Sequence, residues 1–256
     1  MMQVRTPYRI SFAGGGTDLL SYSTIYGGCV VGCAIDQHIT LTLTDKGITN
    51  ESSLRQGSGL GGSGAYHAGM FRLAHPDWDR AHIIEAVTEQ EKLGQQDQTL
   101  SVLGGLRYAE FRTDGTWDTT RLEIPDWLNK CMAIYYMGDR EKEGKTYLTG
   151  INESALHAQK HLTVRVVDAI EKKDFSLFID LMLEAWEVKK DFRPDILTPH
   201  ICDFEKHMYE KGVLAFKIGG AGGGGYAILF RYPDSTPIIG TPVTIDRAGQ
   251  TLIKVD

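Results

Sequence analysis

Gly219-Gly220-Ala221-Gly222-Gly223-Gly224-Gly225 runs between Leu214-Ala215-Phe216-Lys217-Ile218 and Tyr226-Ala227-Ile228-Leu229-Phe230, two apolar segments that read as strands. A stretch this poor in side chains contributes no core, and each glycine loses more backbone entropy on folding than any other residue. Such a loop makes sense where a ligand must approach bare backbone N–H groups with no Cβ in the way. Two further clusters make the same demand: Gly14-Gly15-Gly16, after Arg9-Ile10-Ser11-Phe12-Ala13, and Gly57-Ser58-Gly59-Leu60-Gly61-Gly62-Ser63-Gly64-Ala65.

The cluster at Gly57, Ser58, Gly59, Leu60, Gly61, Gly62 and Ser63 is the best phosphate site in the chain. It runs into a predicted helix over 63–74, with Tyr66, Met70, Phe71 and Ala74 spaced for one buried face and His75-Pro76 as the stop. A helix N-terminus aims free N–H groups and the positive end of its dipole at one point, which suits a phosphate. A Walker A loop is excluded because no lysine ends the motif. Gly57, Gly59 and Gly62 match G-x-G-x-x-G, but the preceding 48–56 is mostly polar, whereas a dinucleotide fingerprint follows a buried strand.

Strand patterns appear over 9–12, 29–35, 38–43, 106–111, 132–136, 214–218 and 226–230, with a turn at Asp114-Gly115. Helical patterns cover 63–74, 79–93, 147–172, 175–190 and 199–211, and 139–145 reads as a solvated loop. Strands dominate before Pro125-Asp126-Trp127 and long helices follow it. This predicts an α+β chain in two halves, 1–125 and 126–256, with a cleft between them.

Thr6 to Asp18 with its Pro-x-Arg-Ile and Gly-Gly-Gly-Thr-Asp elements, the Gly59-Leu60-Gly61-Gly62-Ser63 loop, Gln96-Asp97-Gln98 and the stretch from Lys217 to Gly225 occur in the order seen in GHMP kinases. The chain resembles that family, which includes galactokinase, homoserine kinase and mevalonate kinase. Its Gly-Gly-Gly-Thr-Asp and Gln-Asp-Gln forms are most similar to the D-glycero-D-manno-heptose 7-phosphate kinases, and the likeness spans residues 5 to about 230. It implies a ribosomal S5 domain 2-like N-terminal half, a ferredoxin-like C-terminal half, and ATP and Mg²⁺ as cofactors.

Phosphoryl transfer asks the protein for positioning and charge neutralisation rather than covalent chemistry. Mg²⁺ takes oxygen ligands, and the resemblance gives that role to Ser63 and Glu89; the plain alternatives are a helix N-cap and a solvated surface glutamate. Asp97 is placed to accept the proton of the attacking hydroxyl. Arg9 is the matching arginine beside it, a cation that favours charge on the carboxylate and on the attacking oxygen. Their alternatives are an N-cap aspartate and a surface arginine. The resemblance puts substrate against Gly14, Gly15, Gly16, Thr17, Asp18, Gly222 and Gly223, with Asp18 accepting from sugar hydroxyls; turn chemistry is the other reading of Asp18. Arg5, Arg140, Lys189, Lys190 and Arg193 are equal candidates for the substrate's own phosphate.

The chain of 256 residues carries a net charge of −6 and a pI near 5.8, which argues against a nucleic-acid surface. No apolar run approaches the roughly 20 residues of a membrane span, and no signal-peptide core is present, so a cytoplasmic enzyme is expected. Cys29, Cys33, Cys131 and Cys202 are too scattered for a disulfide scaffold, and no histidine cluster suggests a metal centre; His67 reads as a packing or surface residue. The expected partners are a sugar phosphate and a nucleotide, neither nucleic acid nor membrane, and a homodimer is left open. Residues 44–56 look too short for the strand and helix that wall the base pocket in relatives. Two function classes follow: a sugar-phosphate kinase, with fucose or another hexose as the alternative acceptor, or a catalytically silent sugar or nucleotide sensor.

Overall fold

A computed structural model describes residues 1–55, 57, 59–92, 94–139, 150–236 and 238–254. Strand β1 (Met2–Ala13) leads through α1 (Leu20–Tyr26) into β2 (Gly28–Thr44) and β3 (Gly47–Ser52). Helices α2 (Gly62–Ala74), α3 (Arg80–Glu91) and α4 (Gln96–Leu103) follow, then the hairpin β4 (Leu106–Phe111) and β5 (Trp117–Arg121). The second half holds α5 (Leu128–Cys131), β6 (Met132–Tyr136), α6 (Glu153–Glu171), α7 (Phe175–Lys190), α8 (Pro199–Glu210), β7 (Ala215–Ile218), β8 (Tyr226–Phe230), β9 (Thr241–Pro242) and β10 (Thr251–Lys254).

Two antiparallel sheets result, one ordered β10-β1-β2-β4-β5 with β3 also on β2, the other β7-β8-β6-β9. The expected strands 29–35 and 38–43 are one strand. Asp36 and Gln37 read as a polar break, yet the backbone stays extended, Asp36 donating from its N–H to Thr244 O at 2.9 Å. The two halves of β2 take different partners, Gly28 to Cys33 pairing with β4 and Ile39 to Thr44 with β3. Among the described residues of 44–56, Gly47–Ser52 make a strand exposed along its whole length, and none is helical. Strand β10 pairs with β1 in the register Val4 to Leu252, so the chain's last strand returns to the first sheet.

The long helices lie where the apolar spacing puts them, and side-chain caps fix several starts. Asp79 accepts from His82 N–H, Asp174 from Leu177 N–H and Thr198 from Ile201 N–H. Helix α6 begins at Glu153, capped by Asn152, rather than at 147, a position outside the described residues together with 140–146 of the expected loop. The sheets share one core: Phe12 of β1, Phe178 of α7 and Phe230 of β8 pack with ring centroids 5.4 to 6.1 Å apart. Each aromatic pair adds about 0.5–1.5 kcal/mol beyond area burial, which helps hold the sheets against each other.

Candidate active site

Arg9 and Asp97, 88 positions apart, meet at the centre of the site. Arg9 is 2 % exposed on β1; its Nε donates to Asp97 Oδ1 at 2.8 Å, and its NH2 reaches the same oxygen. Both bonds fall on Oδ1, so among the described residues Oδ2 has no hydrogen-bond partner, and the aspartate side chain keeps 33 % of its exposure. Asp97 lies in the first turn of α4, whose N-cap is Gln95; it is not itself the N-cap. Arg9 also ties β1 to the glycine loop, donating from NH1 to Gly59 O and from its backbone N–H to Leu60 O, each at 3.0 Å.

The loop ends at Gly61, which caps α2 in the left-handed region at φ +78° and supplies no side chain. Among the described residues no hydrogen bond reaches the N–H groups of Gly62, Ser63 and Gly64, which leaves an uncapped helix N-terminus suited to an anion. Leu60 is fully buried and offers only its backbone, Gly57 and Gly59 take positive φ, and Ser58 lies outside the described residues. The 219–225 stretch packs against this loop backbone to backbone: a Cβ at Gly220 would stand 2.7 Å from Gly59 Cα. Part of what compensates the glycine run is therefore close approach of protein to protein. Gly222, Gly223 and Gly224 remain buried at positive φ with N–H groups that donate no hydrogen bond among the described residues. Lys189 braces the loop from behind, donating to Ile218 O at 3.0 Å and to Gly220 O.

Gly14, Gly15, Gly16 and Thr17 form a tight turn, with Thr17 Oγ1 donating to Gly14 O at 2.8 Å and Cys29 O at 2.9 Å. The Gly14 N–H donates to Gln159 Oε1 of α6 at 3.1 Å. Asp18 is 2 % exposed and accepts from Gly16 N–H, Gln96 N–H and Gln96 Nε2 at 3.0–3.1 Å. Both oxygens are occupied by protein, so Asp18 is a strut between turn and α4, which is the turn-chemistry reading. Burial, helped by the charge of Asp97, pushes its carboxyl up to about 6.

Ser63 is not a cap; its hydroxyl donates to Glu91 Oε1 at 2.7 Å. Glu89 is exposed on α3 and is not brought to Ser63, which corrects its expected place as a ligand. Residues two apart on a helix point about 200° apart, so only one of the two glutamates can face α2, and that one is Glu91. His67 also binds Glu91 through Nδ1, a partner its sequence context did not announce. Ser63 and Glu91 form an oxygen pair beside the free N–H groups, a donor set that fits Mg²⁺ sharing phosphate oxygens. Among the described residues no group of three or more His, Cys, Asp or Glu could hold a metal alone.

The five basic candidates separate. Arg5 binds His38 at an exposed edge, Lys190 binds Glu187 and Glu205, Lys189 faces the loop carbonyls, and Arg140 lies outside the described residues. Arg193 pairs with Asp195 at 2.9 and 3.1 Å between Phe192 and Ile196, whose side chains cover Gly16 and Gly222. Sequence reasoning also passed over Lys217, which is 6 % exposed and donates to Phe12 O at 2.6 Å. Burial, with the nearby Arg9 charge, lowers its ammonium to about 7.

Residues 166–235, from α6 through β8 and the glycine loop, match the family described as GHMP kinases C terminal. The structure superposes on a D-glycero-D-manno-heptose 1-phosphate kinase from Bacteroides thetaiotaomicron with a TM-score of 0.76, 19 % identity and all of both chains covered. The mevalonate kinase of Methanococcus jannaschii gives a TM-score of 0.67 at 17 % identity over 90 % of each chain. The chain has the GHMP kinase fold. Its sequence is 24 % identical to the D-glycero-alpha-D-manno-heptose 7-phosphate kinase of Campylobacter jejuni, covering 91 % of this chain and 90 % of the relative. That alignment runs over 308 positions, more than the 256 residues here, so the relative carries residues that have no counterpart in this sequence. Within this fold Arg9 bonds both Asp97 and the loop that leads into α2, and Gly220 packs on Gly59 of that loop.

Proposed function

We propose that the chain is an ATP-dependent kinase of sugar phosphates that phosphorylates the anomeric hydroxyl of D-glycero-D-manno-heptose 7-phosphate, giving the 1,7-bisphosphate. The observation that carries this reading is the Arg9–Asp97 pair, with Oδ2 unpartnered beside an uncapped helix N-terminus. The names of the relatives support the class, one a heptose 7-phosphate kinase and the other a heptose 1-phosphate kinase.

Asp97 Oδ2 takes the hydroxyl proton as the sugar oxygen bonds to the γ-phosphorus and the bond to the ADP oxygen breaks. Arg9 keeps Oδ1 occupied, so the free oxygen faces the acceptor. The N–H groups at the start of α2 and of Gly222 to Gly224 receive phosphate oxygens. Ser63 and Glu91 would hold Mg²⁺, which when bound neutralises phosphate charge. Arg193 holds the substrate's own phosphate, between the side chains that cover Gly16 and Gly222. The enzyme works in the cytoplasm on small molecules, without nucleic acid or membrane; no described helix is long and apolar enough to cross one.

A coupled ADP-release assay against sugars and sugar 7-phosphates tests the reading. Magnesium-dependent turnover with the heptose 7-phosphate preferred over galactose and fucose is expected. No ADP release with any sugar, alongside intact sugar binding by calorimetry, would establish a silent sensor instead.

A further inference from the structure

Gln96 opens α4 next to Asp97, and Asp18 holds it at two points. Its backbone N–H donates to Asp18 Oδ2 and its Nε2 to Asp18 Oδ1, each at 3.0 Å. An ionised carboxylate only accepts, so the carboxamide must turn its NH2 group towards Asp18. The carbonyl Oε1 is thereby forced to the opposite side, beside Gly15, where an added Cβ would stand 3.4 Å from it. That oxygen is buried and, among the described residues, has no hydrogen-bond partner. Buried acceptors in native proteins are almost always paired, so an orphan one residue from Asp97 points to a donor that arrives with a ligand. The Asp18 carboxylate already accepts from three protein donors, whereas Gln96 Oε1 accepts from none among the described residues.

We propose that Gln96 Oε1 accepts a hydrogen bond from a non-reacting hydroxyl of the bound sugar, and that Asp18 is the positioning residue that locks the carboxamide in the accepting orientation. The inference rests on the sugar-phosphate reading and deepens it: the selection for a hydroxyl expected of Asp18 belongs to Gln96, one residue from the proton acceptor. A site built around such a bond rejects an analogue lacking the hydroxyl, because the buried acceptor is then left unpaired.

Calorimetric binding of the heptose 7-phosphate and its monodeoxy analogues to wild type and Gln96→Met, without nucleotide, tests this. Wild type should bind one analogue about 10-fold more weakly than the parent sugar. Gln96→Met should bind the parent about 10-fold more weakly than wild type does, yet bind that same analogue no more weakly than the parent. Gln96→Lys keeps a donor for Asp18 while lacking the acceptor, and should show the same loss with a wild-type melting temperature. Equal, independent losses for every analogue in both proteins, wild-type affinity in Gln96→Lys, or a wild type that binds none of the sugars would each overturn the proposal. ADP release is read separately: coupling between Gln96 and one hydroxyl without ADP release supports the proposal and defeats only the kinase reading.

Discussion

Asp97 and Arg9 converge on a geometry that isolates one carboxylate oxygen, and a single atom change tests its use. Asp97→Asn keeps size and the accepting carbonyl for Arg9 but removes the proton acceptor. Turnover should fall by about 10²-fold or more while the ATP Kd stays within a few-fold; unchanged turnover would remove Asp97 as the base. Lys217 has a different signature. Its folded pKa of about 7 lies below the ordinary lysine value of 10.5, so the unfolded chain binds the extra proton between those values. The cost of the buried ammonium is absent above about pH 10.5, grows as pH falls, and is complete below about 7. Lys217→Met removes that dependence, so its stability relative to wild type should decline by about 1.4 kcal/mol per pH unit as pH rises from 7 towards 10. Urea denaturation across that range measures it, and a difference constant with pH would show that burial does not lower the Lys217 ammonium below its ordinary value.

At the scale of elements, the glycine loop and α2 were legible because the apolar spacing of 63–74 and the uncapped glycines in front of it are local signals. Helix α4 was not. It has eight residues, an N-cap without side-chain bonding and only Leu100, Val102 and Leu103 as apolar marks, so its existence depends on packing against α2 and β1. The contact is close: a Cβ at Gly64 would stand 2.9 Å from Asp97 Cβ, which explains a glycine on the helix face at that point. Glu91 was missed for a related reason, since sequence order cannot say which of two nearby glutamates faces α2. Gly61 joins loop and helix, and a Cβ there would come 2.8 Å from Arg9 Cγ at φ +78°. Sequence alone assigns that space to ligand; the structure gives it to Arg9. Gly61→Val should therefore destabilise the fold by about 1–3 kcal/mol from backbone strain and displace Arg9 from Asp97. A lower melting temperature together with lost ADP release is expected, and a variant with wild-type turnover would contradict the role of Arg9 as a fixed support.

At the scale of the molecule, the order of the motifs disclosed the fold, whereas the closing of the chain on itself was hidden. Strand β10 pairs with β1 some 250 positions away, and residues 251–254 are too few to show a period. The same long-range economy builds the site: Arg9 from the first strand, Asp97 from α4 and the glycines after β7 meet because Phe12, Phe178 and Phe230 clamp the two sheets together. The central claim is that this site transfers phosphoryl to the anomeric oxygen of a sugar phosphate. Phosphorus NMR of the protein with ATP, Mg²⁺ and D-glycero-D-manno-heptose 7-phosphate tests it most directly. The account predicts a second phosphomonoester signal coupled to the anomeric proton, growing as ADP appears and absent with Asp97→Asn. ATP consumed at the same rate without sugar, or a new phosphate on any other carbon, would contradict it.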